Sequence, residues 1–368
     1  MKLPSLRIGD IEVPVPIIQG GMGVGVSMSR LAAAVANAGG IGIISGAQPG
    51  FMEPDFRTDN NAANVRGLEK EIRKARELAP GGIIGVNFLA AAYNYKELVL
   101  AAVREKVDLI ISGAGLPSAL PELVQGSSTK IAPIVSSEKA AATIARLWDK
   151  RYGYLPDAVI VEGPEAGGHL GFSEEELQPG TKPDLAQIVK DVIRALKPFE
   201  EKYQRSVPVI AAGGIYTGCD IAAMLKLGAA GVQMATRFVA TFECDAHEAF
   251  KQAYIEAKEN AIRIIKSPVG LPGRALDNAF LQRLDQQGRI PVTRCYRCLR
   301  NCEPATIPYC ITEALVASVT GDADNGLVFV GSSAFKIDKI VSVKELITEL
   351  VTEAERCMDA LNPSPAAV

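Results

Sequence analysis

The fold can be read outward from the stretch Val207–Thr236, which is VPVIAAGGIYTGCDIAAMLKLGAAGVQMAT. An apolar, β-branched run ends here in Gly213-Gly214, and residues 221–227 then carry apolar side chains three and four positions apart. A second apolar run begins at Gly231. A buried strand, a turn, a helix and another buried strand form the repeating unit of a parallel sheet that helices cover on both faces.

Eight apolar runs of this kind lie within the first 240 residues, and segments with helical spacing separate them. Eight strand–helix units in about 240 residues predict an α/β fold of the (β/α)8 type, the TIM barrel. A doubly wound open sheet is the competing arrangement, and the regular spacing of the units favours closure. The predicted strands are Val15–Gln19, Ile41–Ser45, Ile83–Leu89, Leu109–Ser112, Ile131–Ser136, Ala158–Glu162, Val207–Ala212 and Gly231–Thr236.

The pattern changes after the eighth run, so we divide the chain into three parts. Residues 1–240 form the barrel, residues 241–310 a smaller, mainly helical inserted or appended lid region, and residues 311–368 elements that pack back on the barrel. The elements expected in the last two parts are helices at Ala246–Ile265, Ile311–Val319 and Val343–Leu361, a strand-like run at Leu327–Val330, and a frayed tail over residues 362–368.

The helix after the first strand illustrates the local signals. Ser27 or Ser29 is expected to cap its N-terminus, because a serine hydroxyl accepts a hydrogen bond from the first helical turn. Gly39-Gly40 is expected to end it, since glycine tolerates the left-handed conformation of a helix C-terminus.

The composition limits the classes of function. The chain has 39 Lys+Arg against 42 Asp+Glu and a net charge of −3, which disfavours binding to nucleic acid or to an anionic membrane. No run of 18 apolar residues could span a bilayer, and the N-terminus has no apolar signal core. We therefore predict a soluble cytoplasmic protein.

The strand ends carry residue types suited to binding and catalysis. Barrel active sites lie at the C-terminal ends of the strands, and the loops after the last two strands usually bind phosphate. Here those loops contain Gly213-Gly214 and Ala235-Thr236, whose backbone N–H groups could approach an anion, beside a helix that begins near residues 217–220. The alternative is that the glycine pairs only form tight turns.

Only two histidines occur, and His169 lies in a glycine-rich loop after the sixth strand, where it could act as a base or a hydrogen-bond donor. A purely structural histidine is the alternative. Glu162 and Glu165 flank the same loop and could bind a ligand or pair with a cation. The sequence lacks a Rossmann fingerprint and a P-loop.

Taken together and in this order, the motifs resemble the nitronate monooxygenase (2-nitropropane dioxygenase) family, whose near relative is the FMN-dependent enoyl-acyl-carrier-protein reductase. The resemblance covers roughly residues 10–240, and Gly273-Arg274-Ala275 with Asn278 is similar to a later family block. The matching stretches are Pro16–Met22, Ala32–Gly42, Gly85–Asn87, Glu162–Gly171, Pro208–Ile215 and Gly231–Phe238.

This resemblance implies an FMN site with His169 as the catalytic residue. It also implies that Gly167 permits close approach of the backbone to the cofactor. Two positions depart from the family pattern. Nitronate monooxygenases commonly have Gln at position 162, whereas this chain has Glu162 and the enoyl reductases have Glu there. The family usually has Gly at position 235, whereas this chain has Ala235. The implied cofactor-binding residues are Gln19, Gly20, Gly21, Met22, Asn87, Glu162, Gly167, Gly168, Gly213, Gly214, Gln233, Met234, Ala235 and Thr236.

Three functions follow as hypotheses, each with a small-molecule substrate. The first is an FMN-dependent oxidoreductase that oxidises alkyl nitronates with oxygen, and the second is an FMN-dependent enoyl-thioester or quinone reductase that uses NAD(P)H. The third is a non-redox, phosphate-binding barrel such as an isomerase. A homodimer is a further hypothesis.

The seven cysteines are unevenly placed. Cys295, Cys298, Cys302 and Cys310 lie within sixteen residues, with spacings that suit a 4Fe–4S cluster better than a zinc ribbon. Zinc, and free thiols or a disulfide, are the alternatives. The nearby Arg294, Arg297 and Arg300 could offset thiolate charge. The scattered thiols are expected to be small buried side chains, namely Cys219, Cys244 and Cys357.

Overall fold

The computed structural model describes residues 2–361, so the expected frayed tail over residues 362–368 lies outside the described residues. The strands are β1 (Leu6–Ile8), β2 (Ile11–Val13), β3 (Ile17–Gln19), β4 (Ile41–Ser45), β5 (Ile83–Leu89), β6 (Leu109–Gly113), β7 (Lys130–Val135), β8 (Val159–Glu162), β9 (Gly168–His169), β10 (Val209–Ala212), β11 (Gly231–Met234), β12 (Ile262–Lys266) and β13 (Pro272–Leu276). The α-helices are α1 (Ser29–Asn37), α2 (Asn60–Leu78), α3 (Tyr95–Arg104), α4 (Leu120–Leu123), α5 (Glu138–Tyr152), α6 (Leu185–Tyr203), α7 (Gly218–Lys226), α8 (Thr236–Val239), α9 (Glu248–Ile255), α10 (Ala279–Gln287), α11 (Ile311–Val319) and α12 (Val343–Leu361).

Eight parallel strands close into a barrel in the order β10-β11-β3-β4-β5-β6-β7-β8, which confirms the predicted (β/α)8 fold. The closing pair joins β8 to β10, with Val159 opposite Val209. The antiparallel hairpin of β1 and β2 places Leu6, Ile8 and Val13 in the same buried cluster as the inner side chains of the barrel. The cavity described below opens at the opposite end, where the strands finish.

The expected serine cap of α1 is wrong. The Ser27 hydroxyl instead accepts a hydrogen bond from the Met22 N–H at 2.9 Å. The helix N-terminus is satisfied by Asp245, whose carboxylate accepts from the N–H groups of Met28 and Leu31 at 2.8 and 3.2 Å. A carboxylate here also stabilises the positive end of the helix dipole. The C-terminus is as predicted, since Gly39 takes a φ of +88°.

The region after β11 is less helical than predicted. The expected helix Ala246–Ile265 is wrong beyond α9, because residues 262–266 form β12 and pair antiparallel with β13. The sequence Ile-Arg-Ile-Ile-Lys is rich in β-branched residues, which favour a strand. The predicted helices at Ile311–Val319 and Val343–Leu361 are confirmed as α11 and α12. The division at residues 240 and 310 stays a prediction.

Cys219 and Cys357 are joined in a disulfide that ties α12 to α7, with the two Cα atoms 5.4 Å apart. The expectation that both are simple buried side chains is therefore wrong, because two helices far apart in sequence bring them together. Cys244 is buried as expected, and burial raises its pKa to about 12. No helix within residues 2–361 has the length and hydropathy needed to cross a lipid bilayer.

Candidate active site

A cavity of about 440 Å³ opens at the C-terminal ends of the barrel strands, where barrel enzymes place their active sites. Its lining is mostly apolar, with a few polar groups that include Asn87, Glu162 and His169. An apolar pocket with a few converging polar groups is typical of small-molecule sites. The sequence-predicted residues that line it are Gly21, Met22, Asn87, Glu162, Gly167, Gly168, His169, Ala235 and Thr236.

The other predicted site residues lie around this cavity without lining it. Gln19 is fully buried in the barrel. Its side-chain amide donates to the Gly20 carbonyl and accepts from the Ile43 N–H, so it links neighbouring strands. Gly21, by contrast, lines the cavity and has no room for a side chain, because a Cβ atom there would lie 2.5 Å from the Cβ atom of Asn87. The remaining members of this outer group are Gly20, Gly213, Gly214, Gln233 and Met234.

Gly213 and Gly214 have φ values of +89° and +87°, which favour glycine. They follow β10, next to the end of β11, because Ala212 pairs with Gln233. The Gln233 Oε1 atom is buried without a hydrogen-bond partner. A ligand donor would satisfy this acceptor, since a buried unpaired oxygen is costly. The helix predicted near residues 217–220 is confirmed as α7.

Ala235 needs no left-handed backbone in place of the usual family glycine, since its φ is −129°. A segment from the C-terminal part of the chain packs closely against Thr236. A Cβ atom on Gly331 would lie 2.4 Å from the Thr236 Oγ1 atom. Gly331 also lines the cavity, and the sequence analysis missed it because it lies far beyond the barrel motifs.

Glu162 ends β8 and lines the cavity. Burial raises the pKa of its carboxyl group from 4.5 to about 7, although the Gly171 N–H at 3.4 Å and the charge of Arg274 act in the opposite direction. Both protonation states are therefore populated near neutral pH. Glu162 can donate a hydrogen bond to a ligand or accept one.

His169 lies on the short strand β9, which pairs with β13. Its Nε2 atom is 2.7 Å from the Ser267 Oγ atom, and its ring packs edge-on against Phe329 with the ring centres 5.0 Å apart. Burial lowers the pKa of His169 from 6.5 to about 4, so the imidazole is neutral at pH 7. A neutral ring can donate a hydrogen bond to a substrate without carrying charge into an apolar cavity.

The loop between β8 and β9 is held by Arg274, whose buried guanidinium donates to the carbonyls of Pro164 and Ala166. Glu165 forms an ion pair with Lys182 at 2.8 Å. This agrees with the alternative, left open by the sequence, that one of the two glutamates pairs with a cation. Arg274 was not among the predicted site residues, although Gly273-Arg274-Ala275 is similar to a family block. Its carbonyl partners could not be inferred from spacing.

None of the four clustered cysteines forms a disulfide. The Arg297 N–H donates to the Cys295 Sγ atom at 3.4 Å. Burial raises the pKa of Cys298 and raises that of Cys310 to about 11. Across residues 2–361, no group of three or more His, Cys, Asp or Glu side chains is arranged to hold a metal ion. The 4Fe–4S or zinc centre at Cys295, Cys298, Cys302 and Cys310 stays a prediction, which iron, sulfide and zinc analysis of anaerobically purified protein would test.

A closed (β/α)8 barrel with a histidine and a carboxyl group in a cavity at its C-terminal face defines a TIM-barrel enzyme. The chain matches the family model described as nitronate monooxygenase over residues 5–98 and 60–353. The chain therefore belongs to the nitronate monooxygenase family, and it is an oxidoreductase.

Three similar proteins illustrate the range of the relatives. The chain is 30% identical over 280 residues to a (3aS,4S,5R,7aS)-5-hydroxy-7a-methyl-1-oxo-octahydro-1H-indene-4-carboxyl-CoA dehydrogenase of Rhodococcus jostii, covering 76% of this chain and 67% of the relative. It is 29% identical to a probable nitronate monooxygenase of Staphylococcus saprophyticus, with 78% and 82% covered. The structure of FabK from Thermotoga maritima is 30% identical, with a TM-score of 0.72 and 95% of each chain covered.

Proposed function

We propose that the chain binds FMN in the cavity and oxidises alkyl nitronates with oxygen. The binding residues would be Met22, Asn87 and Glu162 toward the ring and ribityl chain, and the strand ends at Gly213-Gly214 and Ala235-Thr236 toward the phosphate. The unpaired Gln233 Oε1 atom and the two positive-φ glycines support this assignment. The glycines leave backbone N–H groups for an anionic end, and the Gln233 acceptor would take a hydrogen bond from a donor group of the ligand such as a hydroxyl.

When bound, FMN would supply one- and two-electron transfer, and the protein would supply orientation and exclude water. The observation that carries the proposal is the neutral His169 ring in the cavity wall. In the tautomer in which the Ser267 hydroxyl donates to Nε2, the Nδ1 atom carries a proton. That N–H group can donate a hydrogen bond to a nitronate oxygen and so orient the anion.

The test is oxygen consumption by the purified flavoprotein with propyl-2-nitronate and no NAD(P)H. His169→Asn should retain bound FMN and lose turnover by about 100-fold, the lower end of the usual contribution of a positioned acid–base group. Turnover equal to that of the wild-type protein would show that the histidine is structural. A protein that purifies and reconstitutes without flavin absorbance would contradict the FMN proposal itself.

A second candidate, reduction of an enoyl thioester by NAD(P)H, is favoured by two observations. Glu162 stands where the resemblance places Glu in enoyl reductases, and the cavity extends along apolar side chains that include Ile134, Ile144 and Leu315. Anaerobic mixing with NADH or NADPH distinguishes the candidates. Rapid loss of flavin absorbance supports the reductase, whereas reduction only by the nitronate supports the first candidate.

A homodimer and a cytoplasmic location also stay predictions. The chain has 39 basic and 42 acidic residues, and this near balance gives it no general attraction to polyanionic surfaces. Sedimentation equilibrium of the holoprotein would test the dimer, and fractionation of the source cells would test the location.

A further inference from the structure

Three arginines stand on one short loop without acidic partners. Arg294, Arg297 and Arg300 are all exposed in the stretch RCYRCLR. Although Glu303 and Glu313 are close in sequence, no carboxylate of the described residues forms an ion pair with any of the three arginines. In a chain of net charge −3, this loop is a local concentration of uncompensated positive charge.

Backbone hydrogen bonds fix this loop to the rim of the cavity. The Arg300 N–H donates to the Ala91 carbonyl at 3.1 Å, and the Tyr93 N–H donates to the Cys298 carbonyl at 3.1 Å. The Ala91 N–H in turn donates to the Ala114 carbonyl at 3.2 Å, and Ala114 lines the cavity. A single residue, Ala91, therefore connects the arginine loop to the cavity wall through backbone hydrogen bonds.

The rim beside this loop is apolar and open to solvent. Tyr93 is 56% exposed and Leu116 is 52% exposed, and Leu116 also lines the cavity. A ligand that leaves the cavity on this side passes from an apolar chamber over an apolar rim to a basic surface. This order of surfaces matches a linear molecule with an apolar end, a neutral middle and an anionic end.

We propose that this arginine loop binds the phosphate groups of coenzyme A thioesters whose acyl end enters the cavity. Arginine suits phosphate because its guanidinium presents a planar fork of donors and is always charged. The cavity itself has too few polar groups to hold several phosphates, whereas three unpaired guanidinium groups outside it meet that need. The Rhodococcus relative, named as a carboxyl-CoA dehydrogenase, gives the thioester class independent support.

This substrate class rests on the proposed flavin site and deepens the second candidate function, because it names the carrier of the acyl group. With an α,β-unsaturated thioester, NAD(P)H would be oxidised to NAD(P)⁺, one hydride would add at the β carbon and one proton from water at the α carbon, and the C=C π bond would be lost. Nitronates, which carry no phosphate, would reach the same inner cavity without using the arginine loop.

The test is the affinity of the FMN-loaded protein for coenzyme A, 3′-dephospho-coenzyme A and pantetheine, measured by titration calorimetry at low salt. We expect the affinity to fall in that order and to weaken with added salt, because exposed charges are screened. The triple variant Arg294→Gln, Arg297→Gln and Arg300→Gln should bind coenzyme A about tenfold more weakly. Equal affinity for coenzyme A and pantetheine would overturn the proposal.

Arg151→Gln is the matched control, because Arg151 is exposed at the C-terminal end of α5, whereas Ala140 near the start of that helix lines the cavity. It should leave coenzyme A affinity unchanged. The triple variant should retain FMN and nitronate turnover. Absence of flavin from the wild-type protein as well would show failure of the proposed function rather than of the arginine loop, and loss of flavin from the variant alone would overturn a role confined to phosphate binding. Thioester binding only when the acyl group is carried by an acyl carrier protein would also overturn the proposal.

If the arginine changes act only by disturbing the loop that carries the neighbouring cysteines, Cys302→Ser should alter coenzyme A binding as strongly as the arginine changes do, and that result would contradict the proposal. Unaltered binding in Cys302→Ser, together with weakened binding in the triple variant, supports a phosphate site.

Discussion

The Nε2 atom of His169 and the Oγ atom of Ser267 lie 2.7 Å apart, although the two residues are 98 positions apart in the chain. Ser267 follows β12, and its hydroxyl oxygen also accepts the Val269 N–H at 3.3 Å. The hydroxyl proton can be donated to Nε2, and in that arrangement the proton of the neutral imidazole lies on Nδ1. We therefore predict that Ser267 is a positioning residue that favours the Nδ1–H form of the histidine.

Ser267→Ala should lower kcat by about tenfold and change KM for the nitronate less, because the ring loses the partner that fixes its orientation and tautomer. Steady-state oxygen consumption measures this split. Ser267→Thr, which keeps the hydroxyl, should restore most of the rate. Nitrogen NMR of His169 provides a second measurement, in which the alanine variant should show a changed tautomer distribution. An unchanged distribution would remove the positioning role.

The barrel could be predicted from the sequence because each strand is a local, continuous apolar run between glycine-rich turns. Ile41–Ser45 and Ile83–Leu89 were predicted with the bounds that the structure gives. The strand at Ile262–Lys266 was missed because helical spacing upstream continued across it. Whether its branched side chains form a helix or a strand is decided by pairing with β13, which lies later in the chain.

The cavity residues that follow strand ends could be predicted for the same local reason, as with Glu162 and His169. The side-chain amide of Gln19 satisfies the backbone between neighbouring strands, and its expected place beside the cofactor stays a prediction. Arg274 and Ser267 act on partners about one hundred residues away. Those pairings arise from the way the β12–β13 hairpin folds over the barrel, and no spacing rule contains that information.

Glu162→Gln should change the pH dependence of stability. Because the folded-state pKa of Glu162 is raised to about 7 from 4.5, the folded protein must hold a buried charge above that pH, whereas the unfolded chain solvates it. This contribution is absent below about pH 4.5, and it destabilises the fold increasingly as the pH rises to about 7. The Tm of the variant minus that of the wild-type protein should therefore increase over this range. Parallel Tm curves would show that the carboxyl group titrates normally.

Loss of the disulfide between Cys219 and Cys357 should lower stability, because the bond joins α7 to α12 across 138 residues of chain. Cys357→Ser, assayed under oxidising conditions, should reduce the free energy of unfolding by about 2–4 kcal/mol. Wild-type protein treated with dithiothreitol should lose a similar amount, and the variant should not respond to the reductant. A wild-type protein that is equally stable with and without reductant would indicate that the bond is not formed in solution.

Gly167→Ala should disturb the cavity even though the φ of Gly167 is not positive, because of backbone crowding. A Cβ atom there would lie 2.7 Å from the Gly331 N atom and from the Val330 carbonyl carbon, and backbone atoms cannot rotate away. The structure shows a close approach of the segment that carries Gly331 past Thr236, and the close approach of this glycine to the cofactor that the resemblance implies stays a prediction. Separating the two segments should cost about 1–3 kcal/mol of stability and weaken FMN binding.

Gly163→Ala is the matched control, since its nearest contacts are the side chain of Leu185 at 3.1 Å and a carbonyl at 3.3 Å, which can adjust by small shifts. Equal flavin content and equal Tm in the two variants would show that the contact between the segments does not support the cofactor site.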